Sequence, residues 1–351
     1  MESEEVWKEL CLEELSANFE RLFPAHEDLW EGLFTRVLQG DILGAFGHLL
    51  KALTYELSGG IGDMKEIFLW LLILGMVSAV MAHFIAIFDK HQVAELSFYF
   101  MYLLMVAVLS RCFRETAACA AEAMDNIVMF VRMMLPTYLI SVGVVTGSAT
   151  AAAGYQMMLF LIWGVEEILI GIVLPFINGY LILSLVNAIW TEEKLSLFID
   201  FIGKGIGWMI KGILGLVTGL SLFQSFLTPV IDTLKGSVLN KTLAALPGIG
   251  NGVEGVLELA LSSGLVIKNG VGIVLLFLLL FLCAGPLLRI LVMSVLLKGA
   301  AAMMGLVSDK RITSCTNRVG DAGFLLLKTT FSTMLLFLIS IAVVITSARR
   351  F

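Results

Sequence analysis

Apolar residues recur at helical spacing from the start of the chain. Over residues 4–22 they are Val6, Leu10, Leu12, Leu15, Phe19 and Leu22, and Pro24 follows. A second amphipathic stretch runs over 27–55, with Leu29, Leu33, Val37, Ile42, Phe46, Leu49 and Leu53 on one side. The glycine-rich SGGIGD at 58–63 ends this head. The pattern then changes from striped to continuously apolar. A bilayer core takes about 20 apolar residues in helix, and residues 66–88 meet that length. A second span is expected at 94–110, and a weaker amphipathic helix at 111–125.

Beyond Asn126 an apolar stretch carries Arg132 and Pro136, with small residues at Gly143, Gly147 and Ala151. Spacing by four puts those three on one face, where another helix could approach closely. The stretch 156–190 is too long for one ordinary span, and Pro175 is expected to divide it or kink it. Residues 191–228 carry Gly203, Gly207, Gly212, Gly215 and Gly219, again suited to close packing. Residues 229–270 read as two half-buried amphipathic helices around a glycine turn at Gly248, Gly250 and Gly252. Irregular backbone at membrane depth is tolerated only where it is buried in protein or lines a cavity. Further spans are expected at 271–297, which holds Pro286 and Arg289, and at 322–346, after the polar cassette 308–321.

These elements predict an all-α protein: a polytopic transmembrane bundle of about six to eight spans, some broken or re-entrant. The acidic amphipathic head occupies 1–63 and the membrane domain 64–351.

Composition strengthens this picture: 59% of the residues are hydrophobic and 15% charged, against about 25% charged in soluble domains. The mean hydropathy is +0.95. Charge is unevenly placed. Residues 1–63 hold 13 acids and 4 bases, and the rest of the chain is slightly basic, within a total of −6. An acidic head argues against nucleic acid, whose phosphates need Lys and Arg. It also argues against docking on an anionic leaflet. The first residues, MESEEVWKEL, show no apolar leader, so the head is expected to be cytoplasmic unless a cleaved leader precedes it.

Candidate chemistry is sparse. The five cysteines form no CxxC pair and read as small buried hydrophobes. There is no HExxH or GxSxG, and His26, His48, His83 and His91 form no metal-ligand spacing. The glycines at 248–252 lack the GK[ST] of a phosphate loop. No catalytic residue, cofactor or metal is expected. The candidates for polar lining are Glu166 and Glu167, with Arg132 and Arg289 as pairing or snorkelling cations. The alternative is that the acid pair lies at the membrane interface. Residues 191–211 can also be laid on 308–328 without gaps, with Gly203/Gly320 and Lys211/Lys328 identical. That suggests a duplication of the kind found in transporters, against chance similarity among apolar sequences.

Several segments carry a resemblance. LPTYLISVGVVTGSATAAAGYQ (135–156), LPFINGYLILSLVNAI (174–189), LPGIGNGVEGVLELALSSGLVIKNGVGIV (246–274), GPLLRILVMSVLLKGAAAMM (285–304) and SDKRITSCTNRVGDAGFLLL (308–327) together resemble the stage III sporulation protein AE family. The most specific parts are IKNGVG, with Lys268 and Asn269, and SDKRI, with Asp309, Lys310 and Arg311. The resemblance covers about Met64 to the end. It implies a protein of an endospore-forming bacterium, made in the mother cell and resident in the membrane around the engulfed forespore. It further implies partners: the other membrane proteins encoded with it, including an ATPase and ring-forming subunits, and a channel protein of the forespore membrane. Together these would form a secretion-like channel complex that sustains forespore development. The family usually carries an N-terminal signal sequence, which these residues do not show. The competing expectation, from the intramembrane acids and the hinted duplication, is a stand-alone secondary transporter or permease, in one version proton-coupled. An intramembrane enzyme is the least supported class.

Overall fold

A computed structural model describes residues 91–146, 148–189, 194–243, 250–306 and 310–347, with scattered positions between 36 and 80. Among the described residues the chain is entirely helical. In chain order the elements are α1 (His91–Thr146), α2 (Ser148–Gly164), a π-helical segment (Val165–Val173), α3 (Leu174–Asn187), α4 (Ser196–Leu243), α5 (Gly250–Met304) and α6 (Lys310–Ser347). Three helical stretches are long and apolar enough to cross a membrane: Met158–Asn187, Gly270–Met304 and Lys310–Ala342. The larger expected span count is not reached among the described residues, and most of the first expected span, 66–88, lies outside them.

Helix α1 is one element where two or more were expected. Its buried side chains follow one stripe through the whole middle of the helix: Tyr102, Leu109, Thr116, Ala120, Ile127 and Met134. The charges that made 111–125 look separate, Arg111, Arg114, Glu115, Glu122 and Asp125, all lie on the exposed side. They change the outer face and leave the core stripe unbroken. With 56 residues, α1 is about 84 Å long at 1.5 Å per residue. That is well beyond a hydrocarbon core of about 30 Å.

The long apolar stretch is not divided at Pro175. Helix continues from Ser148 to Asn187, and its type changes to π over Val165–Val173, just before the proline. In this segment the bonds reach five residues back, the last being Leu174 N–H to Leu169 C=O. Pro175 then has no N–H to donate. The wider register absorbs that missing bond within the helix.

Region 229–270 is not an independent unit. Its first part completes α4 and its second part opens α5, around the undescribed residues 244–249. The polar cassette likewise belongs to the last helix, since α6 already begins at Lys310.

Helix α6 is the hub, packing on α5, α1, α4 and α3. Helix α5 packs mainly on α6 and α1, whereas the α2–α3 run packs on α1, α4 and α6. The two outer groups therefore flank α6. Phe113, Phe130, Leu169, Ile177, Leu278 and Phe337 fill the core between them.

Candidate functional site

Polar contacts collect near one end of the bundle. Helices α3 and α4 form a hairpin, closed where Leu195 N–H donates to Asn187 Oδ1 at 2.8 Å. Helices α5 and α6 form a second hairpin. Arg318 of α6 reaches across to Asp200 of α4, Nη1 to Oδ1 at 2.8 Å, and its side chain is only 17% exposed. Arg318 also lies close enough to Tyr180 of α3 to interact with it electrostatically. Lys298 of α5 holds Asp321 Oδ1 at 2.7 Å and Asn317 Oδ1 at 2.8 Å, both on α6. The Tyr102 hydroxyl of α1 donates to Leu185 C=O near the end of α3 and lies 3.9 Å from Cys315 Sγ. Five helices are thus tied together at the level of the two hairpin turns. Interhelical polar bonds of this kind contribute about 0.6–2 kcal/mol each within a membrane.

Close backbone approach accompanies these ties. A Cβ at Gly203 would stand 3.2 Å from the Tyr180 ring, and one at Gly320 would stand 2.9 Å from Lys298 Cγ. At Gly323 it would meet Ser294 Oγ at 2.5 Å. Gly203 and Gly320 are the glycines shared by the two alignable cassettes. Each faces the helix that precedes its own, and both cassettes lie at the same end of the bundle. By contrast, a Cβ at Gly207, Gly212, Gly215 or Gly219 meets nothing within 4 Å.

A second polar cluster lies deeper along the bundle. Arg132 Nη2 of α1 pairs with Glu166 Oε2 in the π segment at 2.5 Å, their side chains 54% and 40% exposed. The expected cation and carboxylate do meet. The pair sits on the outer surface of the bundle. From Tyr180 back to Glu166 is 14 residues, about 21 Å of helix. Two charged levels that close would fit a bilayer core of about 30 Å only with snorkelling by the long arginine stems. Glu167 is exposed, as is Arg289, which stands on α5 close enough to Cys119 of α1 to act on it electrostatically.

The remaining sequence candidates are scattered. Lys310 and Arg311 open α6, Lys310 exposed and Arg311 partly buried. Gly143 belongs to α1, and Gly250, Gly252, Lys268 and Asn269 to α5, but their surroundings lie outside the described residues. Gly147, Gly248 and Asp309 lie outside them altogether. Among the described residues no group of His, Cys, Asp or Glu could hold a metal ion. Cys112, Cys283 and Cys315 are buried and Cys119 is partly so. Burial pushes the Cys112 thiol up to about 12.

Sequence reasoning missed Asp200, Lys298, Arg318, Asp321 and Lys328 as a set. The cassette alignment held the signal, because it pairs Asp200 with Asn317 and Lys211 with Lys328.

Comparison with known proteins adds the family. The family model for stage III sporulation protein AE matches residues 29–348. A curated relative, stage III sporulation protein AE of Bacillus subtilis (strain 168), is 22% identical over 264 residues. That match covers 75% of this chain and 66% of the relative, just under two thirds of its length. No solved structure matches. The match extends into the head, further than the resemblance starting near Met64. With residues 29–348 matched end to end, the chain belongs to the stage III sporulation protein AE family.

Proposed function

We propose that the chain is an integral membrane subunit of a secretion-like channel complex linking mother cell and forespore in an endospore-forming bacterium. The observation that carries this is the family match across residues 29–348, which supports a role in sporulation. Three membrane-length apolar helices fit a membrane location. In this reading the protein sits in the mother-cell membrane around the forespore and performs no catalysis. It scaffolds or forms part of the conduit. Energy comes from a partner ATPase, and the other membrane and ring-forming subunits and a forespore channel protein are its neighbours.

The outward position of Arg132, Glu166, Glu167 and Arg289 bears on the lining idea. In a single chain they face away from the core, so they can line a passage only where another chain completes it. Deleting the gene should block spore formation after engulfment, with a fluorescent fusion gathering around the forespore. Normal spore yield from the deletion strain would refute the reading. The alternative, a stand-alone permease, draws on the hinted duplication and the intramembrane acids. It predicts solute flux by the purified protein alone in liposomes, and the channel-subunit reading predicts none.

A further inference from the structure

Two exposed charges on the membrane-facing surface have no partner among the described residues. Glu167 lies on the outer face of the α2–π segment, four residues after Trp163. Trp163 is 54% exposed and Phe160 47%, and their rings touch with centroids 5.9 Å apart. Together they make an aromatic knob beside a carboxylate. Away from this segment, helices α5 and α6 enclose an open groove of about 440 Å³. Leu280, Leu287, Leu291, Leu327 and Phe331 line it, and Lys328, through its apolar stem, is the charged residue among its described lining.

Glu167 and Lys328 lie at similar depths, with Trp163 and Phe160 beyond the one and Phe331 beyond the other. Tyr180 packs beside Gly203 and Arg318 pairs with Asp200, three residues apart on α4, so they mark nearly one level. Glu167 is 13 residues from Tyr180 and Lys328 is 10 from Arg318, along helices leaving that level in the same direction. At about 1.5 Å per residue these are about 19 Å and 15 Å, and π winding shortens the first. Two copies related by rotation about the membrane normal keep equal depths, so a knob and a groove can meet only if they share one. They are also borne by different helices, so a contact between them is head to tail. An isologous contact would place Glu167 against Glu167.

We propose that this chain self-associates head to tail in the membrane, the Trp163–Phe160 knob of one copy entering the α5–α6 groove of the next and Glu167 pairing with Lys328. Contacts of this kind close into rings or continue as filaments, according to the rotation between copies. The proposal rests on the geometry of the bundle and does not depend on the channel reading.

The test uses two differently tagged full-length copies in one membrane, one carrying Trp163→Cys and the other Leu287→Cys. A short bifunctional thiol reagent should join the tags in this pairing and not when both copies carry Trp163→Cys. One chain bearing both substitutions should give a ladder beyond dimer. Glu167→Lys or Lys328→Glu alone should lower the yield at least about tenfold, since like charges then face each other. The two together should restore it. Protection of Cys112 from alkylation verifies the fold of each variant. The milder Glu167→Gln and Lys328→Met should lower the yield less, and they replace any reversal that fails this control. No copy-to-copy product, as when lipid or another subunit fills the groove, overturns the proposal. So does a yield unchanged by charge removal or reversal, or one not restored by the swap.

Discussion

Single residues carry the sharpest contrasts in this bundle. Glycines that look alike in sequence differ in what surrounds them. A side chain at Gly323 meets Ser294 of α5, its Oγ at 2.5 Å and its Cβ at 3.2 Å. Gly207 faces open space. Gly323→Val should therefore lose about 1–3 kcal/mol through overpacking, and Gly207→Ala should gain about 0.4–1 kcal/mol by restricting the unfolded chain. Denaturant titration of the purified protein in micelles reads the difference. The cysteines follow the same logic of surroundings. Three of the four described are sealed in the core, and burial also raises the thiols of Cys112 and Cys119. A raised pKa means less thiolate at neutral pH, and thiolate is the reactive form. Maleimide should modify the partly exposed Cys119 well before Cys112, Cys283 or Cys315, as site-by-site mass mapping would show. Equal rates would contradict the packing described. Burial of these cysteines could be read from their apolar neighbours. The difference between Gly323 and Gly207 could not, because it depends on which helix lies opposite.

At the scale of elements, hydropathy located the apolar stretches well. The expected span at 271–297 falls within Gly270–Met304, and that at 322–346 overlaps Lys310–Ala342 as far as Ala342. It did not locate helix boundaries. Charges at 111–125 suggested a separate helix, yet they sit on the outer face of a continuous α1. Pro175 suggested a break, and the π segment before it absorbs the missing N–H. In both cases a local signal was outweighed by packing on α6, which residue spacing along one helix cannot reveal. The hairpins yield two predictions. Asp200→Asn and Arg318→Gln each break the α4–α6 tie, and their effects should not add. A double-mutant cycle should give a coupling of about 0.6–2 kcal/mol. A coupling near zero would mean that the ion pair contributes nothing. Both cassettes lie at one end of the bundle. Single cysteines near Thr191 and Asp309 should therefore react with an impermeant thiol reagent from the same side of the membrane. Opposite sides would rule out the parallel hairpins.

For the molecule as a whole, the charged groups define its surroundings. The core is apolar, sewn together near the hairpin turns by Arg318, Lys298 and their carboxylates. Outside the core remain the Arg132–Glu166 pair, Glu167, Arg289 and Lys328. An ionised group left in the middle of a bilayer costs at least about 2.5–3.5 kcal/mol, so exposed charges at this depth favour protein neighbours. The sequence made Glu166, Glu167, Arg132 and Arg289 visible as intramembrane charges. The outward direction they take depends on the order of helices around α6, and became visible only in the fold. The central claim is that this protein works among partners. Its most direct test is recovery of the tagged full-length chain from gently solubilised membranes of sporulating cells, followed by mass spectrometry. Stoichiometric recovery of the membrane proteins proposed as its partners, an ATPase among them, is the predicted result. A chain recovered alone, from cells in which those proteins are present and intact, would contradict it.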